Sequence, residues 1–248
     1  MRRIVITSGK GGVGKTTVTA TLGRTLSADG FKVALIDGDV GLNNLDVVTG
    51  IESRVVYDIG DVLAGRCRPY QALVLDSESS MRVLPSSVNS ADVSAQAFRG
   101  VVESISRDFD FVLIDCPAGI EHGFHRAVTS ADEAIVVTTP SASAIRDADK
   151  VIRLLSTYRL QSVFLVVNRV RADMVAKGEM LAAREVASLL HSTLIGAIPD
   201  DDMIAVCQQL GKTSAFAPSA RAFQMLAHNV ESKTHDVVEP ARRRRWWR

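Results

Sequence analysis

No stretch of the 248 residues approaches the ~18 uninterrupted apolar positions that a membrane-crossing helix needs, so the sequence predicts a chain that does not span a bilayer. The first residues have the pattern of a buried strand rather than of a signal peptide. Cysteine is scarce: Cys67, Cys116 and Cys207 are widely spaced, form no CxxC pair and are odd in number. That argues against a disulfide framework and predicts a reduced, cytoplasmic protein with small apolar cysteines. Net charge is almost absent, at +1 from 29 Lys+Arg against 28 Asp+Glu, which excludes a body-wide electrostatic grip on nucleic acid. There is no internal repeat and no linker long enough to divide the chain.

What is present is ordinary globular material, 46% hydrophobic and 23% charged, enough for a sizeable core. The near-zero charge hides an asymmetry. Arg242, Arg243, Arg244, Arg245, Trp246, Trp247 and Arg248 carry five arginines and no acid; without them the body holds 24 bases against 28 acids, a charge of −4. Apolar, β-branched runs recur at 4–6, 33–36, 82–85, 111–114, 134–137, 163–167 and 194–198. Between them lie helical patterns, the first with Val18, Leu22 and Leu26 at a spacing of four, others over 94–107, 143–158, 179–190, 201–209 and 217–231. Continuous apolar strands alternating with amphipathic helices predict a doubly wound α/β fold, a mostly parallel sheet with helices on both faces. The domain is expected over 1–231, with a polar linker and a basic Arg/Trp tail over 232–248.

One segment carries chemistry outright. Gly9-Lys10-Gly11-Gly12-Val13-Gly14-Lys15-Thr16 matches G-x-x-x-x-G-K-[ST] between a strand and a helix, the context that makes the pattern a phosphate cradle. The glycines let successive backbone N–H groups converge on phosphate oxygens, and the helix start adds partial positive charge. Lys15 places a cation at the β/γ-phosphates, and the Thr16 hydroxyl is the expected Mg²⁺ ligand. Such a loop needs a metal-side carboxylate at a neighbouring strand end. Asp115 closes the strand 111–114, and Asp37 and Asp39 follow the strand 33–36. Ligands of open α/β sheets collect at those ends; helix capping is the alternative use for each acid.

Lys10 is not required by a generic phosphate cradle. With Lys15 it forms KGGVGKT, and the chain resembles the deviant Walker A (ParA/MinD) family of P-loop ATPases. That family embraces septum-site ATPases of the MinD branch, ParA/Soj partition ATPases, FlhG/FleN flagellar-number regulators and the nitrogenase iron protein. The strings 36–46, 54–58, 115–121, 144–149 and 167–169 are similar to the MinD branch. The resemblance implies ATP and Mg²⁺ as cofactors, with ATP held by residues 9–16 and Thr17, and slow, dimer-dependent hydrolysis. It implies that Lys10 crosses to the nucleotide of a second copy, that Asp39 positions the hydrolytic water, and that Asp37 and Asp115 lie in the Mg²⁺ shell. Asn168 with Arg169 would recognise adenine, and Pro199 and Asp201 belong to a segment that resembles the loop closing over the base. Implied partners are a homodimer mate, a MinC-like division inhibitor, a MinE-like activator or polar scaffold, and an anionic inner-membrane surface. The expected location is cytoplasmic and peripheral on the cytoplasmic face of the membrane.

The end of the chain departs from the family, whose members generally finish in a short amphipathic helix. Pro240 leaves about eight residues, too few for an isolated helix, and four successive arginines spread charge most of the way round. The arginines and indoles still suit an anionic leaflet; a basic end with no membrane role, or one that touches nucleic acid, is the other reading. Two rival functions remain: a ParA/Soj-type DNA-partitioning ATPase, disfavoured by the acidic body, and an FlhG/FleN-type regulator. An iron–sulfur role is disfavoured because Cys116 reads as a small packed residue.

Overall fold

A computed structural model of the protein describes residues 1–39, 45–86, 93–209 and 219–240. The chain opens with β1 (Arg2–Thr7), α1 (Lys15–Ala28) and β2 (Val33–Asp37). Short helices α2 (Leu45–Thr49) and α3 (Ile59–Leu63) lead to the hairpin strands β3 (Val74–Leu75) and β4 (Arg82–Leu84). Then follow α4 (Ala95–Ser106), β5 (Phe111–Asp115), α5 (His122–Val128), β6 (Glu133–Thr138) and α6 (Ala142–Leu155). The remainder is β7 (Ser162–Val170), α7 (Ala172–Val175), α8 (Ala183–Leu189), β8 (Thr193–Pro199), α9 (Asp202–Gln209) and α10 (Ala220–Ser232).

Among the described residues eight strands form one sheet in the order β3-β4-β2-β5-β1-β6-β7-β8. Every neighbouring pair is parallel except β3 with β4. Both faces are covered, as uninterrupted apolar strands require. Ile4, Ile6, Leu35 and Leu113 face α1 and α10, where the four-spaced Val18, Leu22 and Leu26 and then Phe223, Leu226 and Val230 are buried. Val5, Ile36, Val112 and Ile114 face α4, α5, α6 and α8 through Phe98, Phe124, Val151 and Val186. The doubly wound α/β expectation therefore holds.

Local departures have local causes. The helix expected over 143–158 starts one residue earlier behind the Ser141 cap and ends at Leu155. The helix expected near 179–190 is confined to α8 and begins where Glu185 accepts the Ala182 N–H. α5 and the antiparallel β3 were not foreseen, because seven and two residues are too short to show a period. Beyond α10 the chain rounds the edge strand β8: Asn229 Nδ2 donates to both Ile195 O and Asp236 O, Val237 enters the opposite core, and Glu239 accepts the Arg184 N–H at the start of α8.

The register matters most at the carboxyl ends of the central strands. Ile6 and Asp37 both stand beside Asp115, so the loops leaving β1, β2 and β5 converge. Below them one buried ion pair pins α1 to the turn after β3. Arg24 (5% exposed) donates from Nη2 and Nε to Asp76 (3% exposed) at 2.7 and 3.0 Å, and from Nη2 to Thr49 O at 3.0 Å. Removing one partner of a buried pair strands the other charge. Arg24→Met should therefore lower the urea unfolding free energy by about 3–5 kcal/mol, and adding Asp76→Leu should recover part of that loss.

Candidate functional site

The turn out of β1 is built from contacts that only glycine permits. A side chain at Gly9 would drive into the backbone carbonyl of Asp147 on α6. Gly14 has φ 90° and caps α1, and a side chain there would collide with the Asn168 amide. Gly11 and Gly12 open onto free space, the latter with φ 78°. α1 has 14 residues and no side-chain cap at its start, so first-turn N–H groups are offered outward beside two open glycines. That is a cradle for an anion.

Acids surround its floor. Lys15 Nζ lies 2.9 Å from Asp115 Oδ1, and Thr16 Oγ1 donates to Asp115 Oδ2 at 2.7 Å. Thr19, one turn further along α1 and not singled out by sequence reasoning, donates to Asp115 Oδ1 at 2.9 Å. Asp37 accepts the Asp39 N–H at 2.9 Å and the Leu45 N–H at 3.3 Å. Burial, and then the neighbouring Asp115 carboxylate, push the Asp37 carboxyl up to about 8. The donor set of the Thr16 hydroxyl and the carboxyl groups of Asp37 and Asp115 is all oxygen, which suits Mg²⁺, and a bound cation would favour the ionised form of Asp37. Asp39 is half-buried, its carboxyl raised by burial and held down by the Lys15 charge.

Lys10 is exposed and donates from Nζ to Ser143 Oγ at 3.1 Å, in the first turn of α6. Thr17 is half-buried in the first turn of α1. Asn168 is buried under the loop, where its Nδ2 donates to Val13 O at 2.8 Å. Arg169 is exposed at φ 57°, where β7 loses register with β8 between Val167 and Val170. Pro199 pairs with Val170, whereas the Asp201 carboxylate accepts from Met203 N, Ser219 N and Ser219 Oγ, so that it ties α9 to the start of α10. Residues 9–17, 37, 39, 115 and 168 thus gather at the carboxyl ends of inner strands, with Pro199 and Asp201 at the end of β8. Residues 40–44 of the 36–46 string and the tail Arg242–Arg248 lie outside the described residues.

One further group in the site carried no sequence signal, because it sits on the unforeseen α5. Arg126 Nη2 donates to Gly38 O at 3.0 Å. Cys116, following Asp115, is fully buried, and burial pushes its thiol up to about 12; it packs rather than reacts.

An uncapped helix start behind open glycines, with its first lysine held by an acid from the end of a neighbouring strand, is the architecture of a P-loop nucleoside triphosphatase. Comparison with known proteins narrows the class. The family model of ParA, described as NUBPL iron-transfer P-loop NTPase, matches residues 1–233. The septum site-determining protein MinD of Synechocystis sp. is 44% identical over 239 residues, which is 94% of this chain and 90% of that protein. Among solved structures, a MinC:MinD cell division protein complex from Aquifex aeolicus superposes with a TM-score of 0.89 at 39% identity, covering 96% of this chain and 99% of that one. MinD from Pyrococcus horikoshii, complexed with Mg-ADP, gives 0.85 at 32% identity over 94% and 96%. The chain belongs to the ParA/MinD family of P-loop NTPases, in its MinD branch.

The raised Asp37 carboxyl has a measurable sign. A folded-state value near 8 against an ordinary carboxylate in the unfolded chain means that the folded form holds the extra proton through the window between. Its contribution to stability is complete at low pH and lost as pH climbs toward 8. Thermal melts of nucleotide-free protein from pH 5 to 8 should show falling stability, with a shallower slope for Asp37→Asn.

Proposed function

We propose that the protein is a Mg²⁺-dependent ATPase that dimerises on ATP, and that the ATP dimer holds a division inhibitor at the membrane to control septum placement. Lys10 carries this reading. It is an exposed cation at the mouth of the cradle, beyond what a self-sufficient phosphate site requires, and a second copy facing this one could receive it. Bound ATP and Mg²⁺ supply the polyphosphate anion and a Lewis-acid cation. The chain's own groups then divide the work: the 9–16 backbone and Lys15 bind phosphate, Thr16, Asp37 and Asp115 hold the metal shell, and Asp39 orients the attacking water. Asn168 and Arg169, with Pro199 and Asp201, form the adenine side. Phosphoryl transfer asks mainly for such positioning and charge neutralisation. An isolated copy lacks the second lysine and turns over slowly.

The relative solved as a MinC:MinD complex supports a MinC-like cargo, and a MinE-like protein or polar scaffold is the activator. The ATPase body is residues 1–231 with the chain as far as Glu239 packed against it, and the membrane element is the basic end of 232–248, where the arginines are worth about 1 kcal/mol each beside an anionic leaflet. Two tails in one dimer bind far more firmly than one. The proposed position is peripheral, on the cytoplasmic face; among the described residues no helix is long and apolar enough to cross a membrane.

Two experiments bear on this. Asp39→Ala should retain ATP yet release phosphate at least tenfold more slowly and sediment as a dimer, whereas Lys10→Ala should keep ATP and remain monomeric; a Lys10→Ala dimer removes the cross-interface role. Deleting 241–248 should abolish ATP-dependent co-sedimentation with anionic liposomes while leaving nucleotide affinity intact. Wild-type capture by nonspecific DNA in preference to liposomes would favour the partition-ATPase alternative.

A further inference from the structure

The two buried arginines among the described residues are treated differently by their surroundings. Arg24 is saturated, with three hydrogen bonds of 2.7–3.0 Å to Asp76 and Thr49. Arg126 is 9% exposed, yet only its bond to Gly38 O is short; Nη1 stands 3.5 Å from Val93 O, and Nε has no partner among the described residues. The guanidinium lies 5.6 Å over the Phe98 ring of α4. An under-satisfied buried cation is expensive. Burial draws its pKa down, and the opposing attraction comes first from Asp39.

Its single short bond falls on a decisive peptide. The Gly38–Asp39 unit accepts from Arg126 at its carbonyl and donates from its N–H to Asp37 Oδ1 at 2.9 Å. The preceding Gly38 N–H donates to Asp115 O at 2.8 Å, and the following Asp39 carbonyl accepts from Ser86 Oγ at 2.9 Å. A planar peptide held at both edges cannot swivel, and its plane sets the direction of the Asp39 Cα–Cβ bond. The backbone has no slack there, since a Cβ on Gly38 would lie 2.9 Å from Asp115 O. The Asp39 carboxylate itself makes no hydrogen bond among the described residues. Its placement rests on its backbone and on the Lys15 and Arg126 charges around it, and one of the two groups clamping that peptide comes from α5.

We propose that Arg126 is a positioning residue for hydrolysis, a buried cation on α5 that locks the Gly38–Asp39 peptide and so aims the Asp39 carboxylate. This rests on the ATPase reading above. It also couples the loop that follows Asp115, from which α5 springs, to the loop that carries Asp37 and Asp39.

The test is steady-state phosphate release with Mg²⁺·ATP, together with binding of a fluorescent ATP analogue, for wild type, Arg126→Gln and Arg126→Lys in the full-length chain. Misaiming the water-orienting group should cost the Gln form about 10- to 100-fold in kcat with KM and analogue affinity within about twofold. The Lys form, which keeps a charged donor, should recover part of the loss. Wild-type kcat in Arg126→Gln overturns the proposal, as does a loss shared equally by affinity, or a Lys form no better than Gln. If the Gln form does not fold, the Lys form decides: lowered kcat at unchanged KM supports positioning, and wild-type kcat overturns it. Absence of phosphate release from the wild type, with ATP bound, is the separate failure of the ATPase reading and takes this inference with it.

Discussion

Asp115 ties three separate stretches of chain into one site. Its carboxylate receives Lys15, Thr16 and Thr19 from α1, and its backbone carbonyl receives the Gly38 N–H from the loop after β2. Because β5 lies between β1 and β2 in the sheet, a single residue at its end touches both neighbouring loops. The cradle at Gly9–Thr16 and the acids at 37 and 39 keep their spacing only while this hub is intact. Two carboxyls this close resist ionising together: Asp37 is buried beside Asp115 and holds its proton well above the ordinary range. A site with two crowded carboxylates and one lysine is short of positive charge, and a divalent cation is the simple remedy.

The same economy separates the two buried arginines. Arg24 has every good partner it needs and serves the fold. Among the described residues Arg126 has one short bond, an Nε without a partner and an aromatic face, and its short bond falls on the carbonyl just before Asp39. Incomplete satisfaction of a buried charge is tolerated where the surrounding structure is organised around another task.

Much of this was legible in the linear chain. Glycine, lysine and threonine at fixed intervals specify a phosphate cradle because the geometry is local, within one turn and the first turn of a helix. Runs such as Val33–Ile36 and Phe111–Ile114 announce strands buried on both faces, and the spacing of Val18, Leu22 and Leu26 announces the face that α1 buries. The KGGVGKT form and the string around Asp115 sufficed for a family resemblance that the comparisons uphold. Not legible were the elements too short for periodicity, α5 and β3, and with α5 the position of Arg126. Thr19 was missed for a different reason: a threonine one turn into a helix is unremarkable until a carboxylate from residue 115 is placed against it.

Asn168 and Asp201 show how far sequence reasoning goes. Their places at strand ends were readable, but the bonds of Asn168 to the Val13 carbonyl and of Asp201 to Ser219 join residues 155 and 18 positions apart. The phosphate cradle, the strands buried on both faces and the acids at the ends of two of them are written in the linear chain, since each is a matter of neighbouring residues. Which acid meets the lysine, which arginine clamps Gly38 and which amide braces the loop became visible once the chain was folded. The strand order β2-β5-β1 places residues 78 and 109 positions apart side by side, and no local pattern encodes which distant strand will be the neighbour.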